Sequence, residues 1–133
     1  MKYKLEHCVG KKLRLISRFV DTQFRSSFKD FNITENQATL LFVLSSHGKI
    51  DQGILGKKLG LERSSISRNI NVLVKSGYVE KSFEYRPEIF LTKKGKDLVK
   101  QLIPLWENVM DKIILEIGED GVQMINNLEK KLE

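Results

Sequence analysis

Residues 61–77 read Leu61-Glu62-Arg63-Ser64-Ser65-Ile66-Ser67-Arg68-Asn69-Ile70-Asn71-Val72-Leu73-Val74-Lys75-Ser76-Gly77, and this stretch decides the fold. At about 3.6 residues per turn, Ile66, Ile70, Leu73 and Val74 line up as one apolar stripe. Ser64, Arg68, Asn71 and Lys75 lie opposite it, with Ser67 on one shoulder. That outer face holds no carboxylate. Small hydroxyls, an amide and long cations can enter a DNA groove, donate to phosphates and reach base edges. The stretch reads as a recognition helix.

The flanks supply its context. Asp51 stands where a cap would open a helix through Leu59, with Ile54, Leu55 and Leu59 as its apolar positions. Gly60 provides a left-handed stop, and Gly56 is expected where another helix crosses closely. A short helix, a glycine turn and a helix with a polar outer face have the spacing of a helix-turn-helix. Gly77 ends the second helix. Residues 78–83 and 88–91 then read as two short strands around Glu84-Tyr85-Arg86-Pro87, a hairpin with a polar, cationic tip. Upstream, Thr34-Glu35-Asn36-Gln37 has the form of a capping box. It opens a helix to about Ser46 that Leu40, Leu41, Val43 and Leu44 mark as buried.

Both ends of the chain read as helical. Leu5, Val9, Leu13, Ile16, Val20, Phe24 and Phe28 step by three or four, and Leu15 and Phe19 widen the apolar surface to a second face. Thr92 caps a long helix from Lys93 to about Ile117, which Pro104 should kink. Gly118 breaks the pattern, and Val122, Ile125, Leu128 and Leu132 mark a last helix. These segments carry more apolar surface than a monomer of this size hides, so a homodimer is expected. The reading is one domain over 1–133, with a DNA-binding lobe at 34–96 and a helical dimerisation region at 1–31 and 97–133.

Charge is distributed to match. The net +6 divides into +4 over residues 1–55, +6 over 56–96 and −4 over 97–133. A basic middle with an acidic C-terminal end suits a polyanionic partner. No signal peptide and no apolar run near the roughly 20 residues of a bilayer span are present, and the single cysteine excludes an internal disulfide. A cytoplasmic protein without membrane contact is expected.

Catalysis finds no constellation. His7 and His47 are far apart without a matched nucleophile, and Gly48 and Gly53 have phosphate-loop spacing but Ile54 where lysine is required. No enzyme, metal site or cofactor is expected. Cys8 falls on the apolar side of its helix beside Val9 and is read as a buried structural cysteine. A redox-sensing thiol is the alternative, because Lys4, His7, Lys11 and Lys12 are near in sequence.

Helix, helix, helix-turn-helix, hairpin and two further helices is an order that resembles the multiple-antibiotic-resistance regulator (MarR) family of winged-helix transcription factors. Five pieces carry the resemblance, in order and densest from Ile33 to Leu98. They are Ile33-Thr34-Glu35-Asn36-Gln37, Leu55 to Leu61, Arg63 to Arg68, Leu73 to Val79, and Leu91-Thr92-Lys93-Lys94-Gly95. Gly56 stands in place of the family's usual alanine. The wing also departs from the pattern. Only Glu84-Tyr85-Arg86 can supply the family's acid-x-arginine, and only four residues separate it from Leu91, so the hairpin is shorter.

The resemblance implies a dimeric regulator, mainly α with a small β-hairpin wing, that binds a double-stranded, pseudo-palindromic operator. Repression, with release by a small-molecule effector or an oxidant, is what it further implies. With the helical wheel it assigns Ser64, Ser67 and Arg68 to the major groove, Arg63 and Ser65 to phosphates, and Asn71 and Lys75 to the rim. Lys81, Tyr85 and Arg86 are the wing's contribution. A winged-helix module for protein–protein contact, its basic face meeting an acidic partner, is the alternative.

Overall fold

The computed structural model describes residues 1–133. Its helices are α1 (Val9–Phe28), α2 (Glu35–His47), α3 (Gln52–Leu59), α4 (Arg63–Lys75) and α5 (Lys93–Lys131), and its strands are β1 (Ile50–Asp51), β2 (Val79–Lys81) and β3 (Glu88–Leu91). The chain divides into two compact units, Phe28–Pro104 and Met1–Ser27 with Leu105–Glu133.

The unit Phe28–Pro104 contains the helix-turn-helix and the sheet. The capping box that opens α2 is present: Thr34 Oγ1 accepts from the Gln37 amide at 3.2 Å, and Gln37 Oε1 accepts from the Thr34 amide at 3.1 Å. Gln37 is buried, and its Nε2 donates to Asn69 Oδ1 on α4 at 3.3 Å. One side chain therefore caps α2 and ties α4 to it. Gln37→Ala removes both bonds and should cost about 1–2 kcal/mol. The readout is a lower urea midpoint at constant m-value, and an unmoved midpoint would remove Gln37 from this role.

Asp51 Oδ1 caps α3 by accepting the Gly53 and Ile54 amides at 2.8 and 3.2 Å. The helix ends at Gly60, φ 62°, where the Leu61 amide bonds back to the Gly56 carbonyl at 3.3 Å. A Cβ on Gly56 would stand 3.4 Å from Ile66 Cγ1, so α4 does cross closely there. On α4, Ile66, Ile70 and Leu73 are buried, whereas Val74, expected in the stripe, is exposed. Gly77, φ 82°, ends the turn, with the Gly77 and Tyr78 amides bonded to the Val74 and Leu73 carbonyls at 3.0 Å. This paired arrangement closes the helix end without a further side chain.

The sheet has three strands, not the two of a simple hairpin. Its order is β1-β3-β2, with Ile50 opposite Ile89, Val79 opposite Leu91 and Lys81 opposite Ile89. A two-residue β1 has no alternation to detect. The strand expected over 78–83 contracts to Val79–Lys81, because the chain bends over residues 83–86 and Ser82 only closes the base of that bend.

The Leu91-Thr92-Lys93-Lys94-Gly95 piece acquires a physical meaning here. Thr92 Oγ1 donates to the Gly77 carbonyl at 2.6 Å and accepts the Gly95 amide at 3.0 Å. Lys94 Nζ donates to the Ser76 carbonyl at 2.8 Å and stands 4.8 Å from the centre of the Tyr78 ring. A Cβ on Gly95 would run into the Tyr78 carbonyl. The first turn of α5 is thus fastened to the last turn of α4.

The other unit differs from expectation at its start. Leu5–His7 is a separate 3-10 turn, and α1 begins only at Val9. Cys8 lies between them with extended backbone, and its Sγ accepts the Lys11 amide at 3.5 Å. It is half-buried at a helix start, which corrects the reading of a buried structural cysteine inside one helix over 5–28. Leu5, Val9, Leu13, Leu15 and Ile16 are each more than half exposed, while Phe24 is buried.

Along α5, helical geometry runs through Pro104, where a kink was expected. The departure is at Gly118, φ 72° and ψ 173°, a region that only glycine enters readily. Beyond it Met124, Ile125, Leu128 and Leu132 are exposed. No helix is long and apolar enough to cross a membrane.

Candidate nucleic-acid interface

On α4, Arg63, Ser64, Arg68, Asn71 and Lys75 are exposed, and Ser65 and Ser67 are half-buried. No carboxylate pairs with Arg63, Arg68 or Lys75; the one ion pair joins His7 to Glu6. Glu62 precedes the helix but makes no side-chain cap bond, so the first-turn amides of α4 have no side-chain acceptor. Open amides at the positive end of a helix suit a phosphate.

The structure joins two of the expected residues directly. Lys81 Nζ donates to Asn71 Oδ1 at 3.2 Å, linking the wing to the recognition face. Tyr85 and Arg86 instead stand on the exposed hairpin tip. Glu84 is exposed beside them and forms no ion pair with Arg86. The base of the tip is closed by Ser82 and Glu88, whose amides donate to the Glu88 carbonyl and to Ser82 Oγ at 2.9 Å.

Three participants escaped the sequence reading. Asn69 sits in the quoted stretch, but nothing in sequence names Gln37, 32 positions away, as its partner. Lys94 was named only as part of the Leu91–Gly95 piece, with no sign of its bond to Ser76. Phe83 was placed in a strand, and it is fully exposed on the tip.

A concavity of about 500 Å³ lies in the same unit, away from the quoted stretch. Its apolar lining includes Leu44, Phe90, Leu91, Val99 and Ile103, and its cations are Lys49, Lys96 and Lys100, with no carboxylate among the lining residues. Lys49 Nζ stands 5.1 Å from the centre of the Phe90 ring. The volume suits a small molecule.

Comparison with known proteins agrees with this geometry. Residues 31–86, which span α2 to the wing tip, match the model of the MarR family. The HTH-type transcriptional regulator SarZ of Staphylococcus saprophyticus is 26% identical over 107 residues, covering 77% of this chain and 73% of SarZ. Among solved structures, the PcaV transcriptional regulator from Streptomyces coelicolor, in complex with its natural ligand, superposes with a TM-score of 0.87 at 19% identity, over 98% of this chain and 94% of PcaV. The S. aureus MepR–DNA complex gives 0.82 at 22% identity, over 94% and 96%. These two share the fold. Members of the matched family are transcription regulators and not enzymes. With the family match lying on the helix-turn-helix over residues 31–86 and the shared fold extending over nearly the whole chain, this protein is similar to the MarR family of winged-helix, DNA-binding transcription regulators.

Proposed function

We propose that the protein is a repressor that binds a pseudo-palindromic operator as a homodimer and lets go when a small ligand or an oxidant arrives. The carboxylate-free outer face of α4, bonded to the wing through Lys81 and Asn71, carries this reading. Two copies of α4 would enter successive major grooves about 34–36 Å apart. Ser64, Ser67 and Arg68 then lie deepest, Arg63 and Ser65 meet phosphates, and Asn71 and Lys75 sit at the rim. Lys81, Tyr85 and Arg86 serve the flanking groove. MepR was solved with DNA, which supports the same use of this fold.

Dimerisation is supported by the uncovered apolar residues of α1 and of the chain beyond Gly118, since water-exposed stripes of this kind favour a partner surface. Release by a ligand is supported by the concavity: an apolar floor with three lysines and no carboxylate suits an amphipathic carboxylate. PcaV was solved with a ligand of its own. Release by an oxidant is supported by the half-buried Cys8 thiol at the start of α1. A cytoplasmic location suits a target on DNA and completes the reading.

Selection of genomic fragments by the purified protein, followed by footprinting and titration, tests the reading. Two protected half-sites are expected, with log K falling linearly as log salt rises. Benzoate should weaken the wild type, and peroxide should weaken the wild type but not Cys8→Ser. Absence of any specifically bound fragment at moderate salt would sink the operator reading and favour a protein-binding module.

A further inference from the structure

The wing tip is unusual in its chemistry rather than its shape. Residues 83–86 are all exposed, with Phe83 at 107% and Tyr85 at 99% of full exposure. An isolated apolar residue on a surface needs no explanation. Two aromatics one residue apart, on a tip closed off at its base, are a different matter. Below them the Ser82–Glu88 bonds close the hairpin, and the Gln52 amide donates to the Pro87 carbonyl at 3.4 Å, anchoring it to the start of α3. The aromatics therefore stand on a fixed support.

Charge cannot be the tip's main contribution. From Lys81 to Glu88 the hairpin holds Lys81, Arg86, Glu84 and Glu88, which cancel. Lys81 already spends a donor on Asn71. What the tip offers beyond one guanidinium is ring surface. Because Lys81 ties the wing to the recognition face, the tip adjoins whatever groove flanks α4. With α4 in the major groove, that is the minor groove.

We propose that Phe83, seconded by Tyr85, acts as an apolar wedge that enters the minor groove and partly unstacks a base step beside the α4 contact. Apolar side chains inserted in this way kink the duplex, and the wrapped DNA then gains protein contact. The wedge selects sequence indirectly, through steps that open easily, such as TA and CA/TG, rather than through hydrogen bonds. A short, charge-neutral wing thereby contributes specificity without a long reach. The inference rests on the operator reading given above.

The test uses the full-length protein and the shortest duplex protected in its selected genomic fragment, carrying 2-aminopurine at the step next to the α4 footprint. Wild type should raise 2-aminopurine emission and shorten the end-to-end distance by energy transfer. Phe83→Ala should lose roughly tenfold in affinity, with the emission rise abolished and the salt slope unchanged, as removal of a stacking contact rather than a phosphate contact requires. Phe83→Leu keeps an apolar wedge and should retain most of the bend. Replacing a TA step at that position by GG should weaken wild type but not Phe83→Ala.

Wild-type affinity, bend and emission in Phe83→Ala/Tyr85→Ala would overturn the wedge while leaving the operator reading intact, and would turn the aromatic tip toward a protein partner. A wild-type protein that selects no duplex at all would overturn both. Circular dichroism of each variant guards against misfolding, and the exposed position makes native spectra the expected result.

Discussion

Gly95→Ala is expected to destabilise the protein by about 2–3 kcal/mol, a large loss for one methyl group. Its Cβ would run into the Tyr78 carbonyl and come within 3.2 Å of the Leu91 side chain. That carbonyl cannot turn aside freely, because it accepts the Thr92 amide at 3.1 Å. Alanine's better helix propensity, about 1 kcal/mol over glycine, offsets only part of the collision. Gly10→Ala is the control: its nearest neighbour would be the flexible Arg14 guanidinium at 3.4 Å, so the same propensity gain should show as mild stabilisation. Urea unfolding of both variants reads the contrast. Equal midpoints would show that α5 is not held against Tyr78. Operator affinity should fall with Gly95→Ala as well, since Tyr78 directly follows the glycine that ends α4.

Arg68→Ala is expected to weaken specific binding by roughly 1–3 kcal/mol while changing non-specific binding far less. Arg68 is exposed on the outer face of α4 and has no carboxylate partner, so its planar donors are available for a guanine edge. Arg68→Lys should recover little of the loss, because an ammonium cannot reproduce a two-bond fork. Lys75→Ala, at the rim, provides the contrast: a uniform decrease across sequences and a salt slope smaller by about one. A titration against operator and random duplex separates these outcomes. Unchanged discrimination in Arg68→Ala would remove it as a base reader.

Where the fold was legible, the signal was local. Thr34 with Gln37, Asp51, Gly60, Gly77 and Gly118 act within a turn of themselves, through bonds or backbone angles that a few neighbouring residues dictate. The buried line Ile66, Ile70, Leu73 follows from helical period alone. What escaped depended on distant partners or on very short elements. Two residues of β1 cannot show alternation. The Gln37–Asn69 bond spans two helices, and the Lys94 bond to Ser76 joins residues 18 apart. The start of α1 was misplaced because Leu5 and Val9 continue the apolar spacing across a real break at Cys8. The outward placement of Ser64, Arg68, Asn71 and Lys75 on α4 also follows from helical period. The division of that face into free and engaged side chains was not legible, since Lys81 and Asn71 meet only once the hairpin folds back.

That meeting bears on what Asn71 would offer to a base. Lys81 takes one lone pair of Oδ1, so Asn71 keeps a second lone pair and both Nδ2 protons. An adenine edge, which presents its amino group beside N7, would be paired through that remaining acceptor and one donor, and would share Oδ1 with the Lys81 ammonium. A guanine or thymine would ask only for a donor. One amide oxygen thus stands between the base that the helix would face and the hairpin beside it.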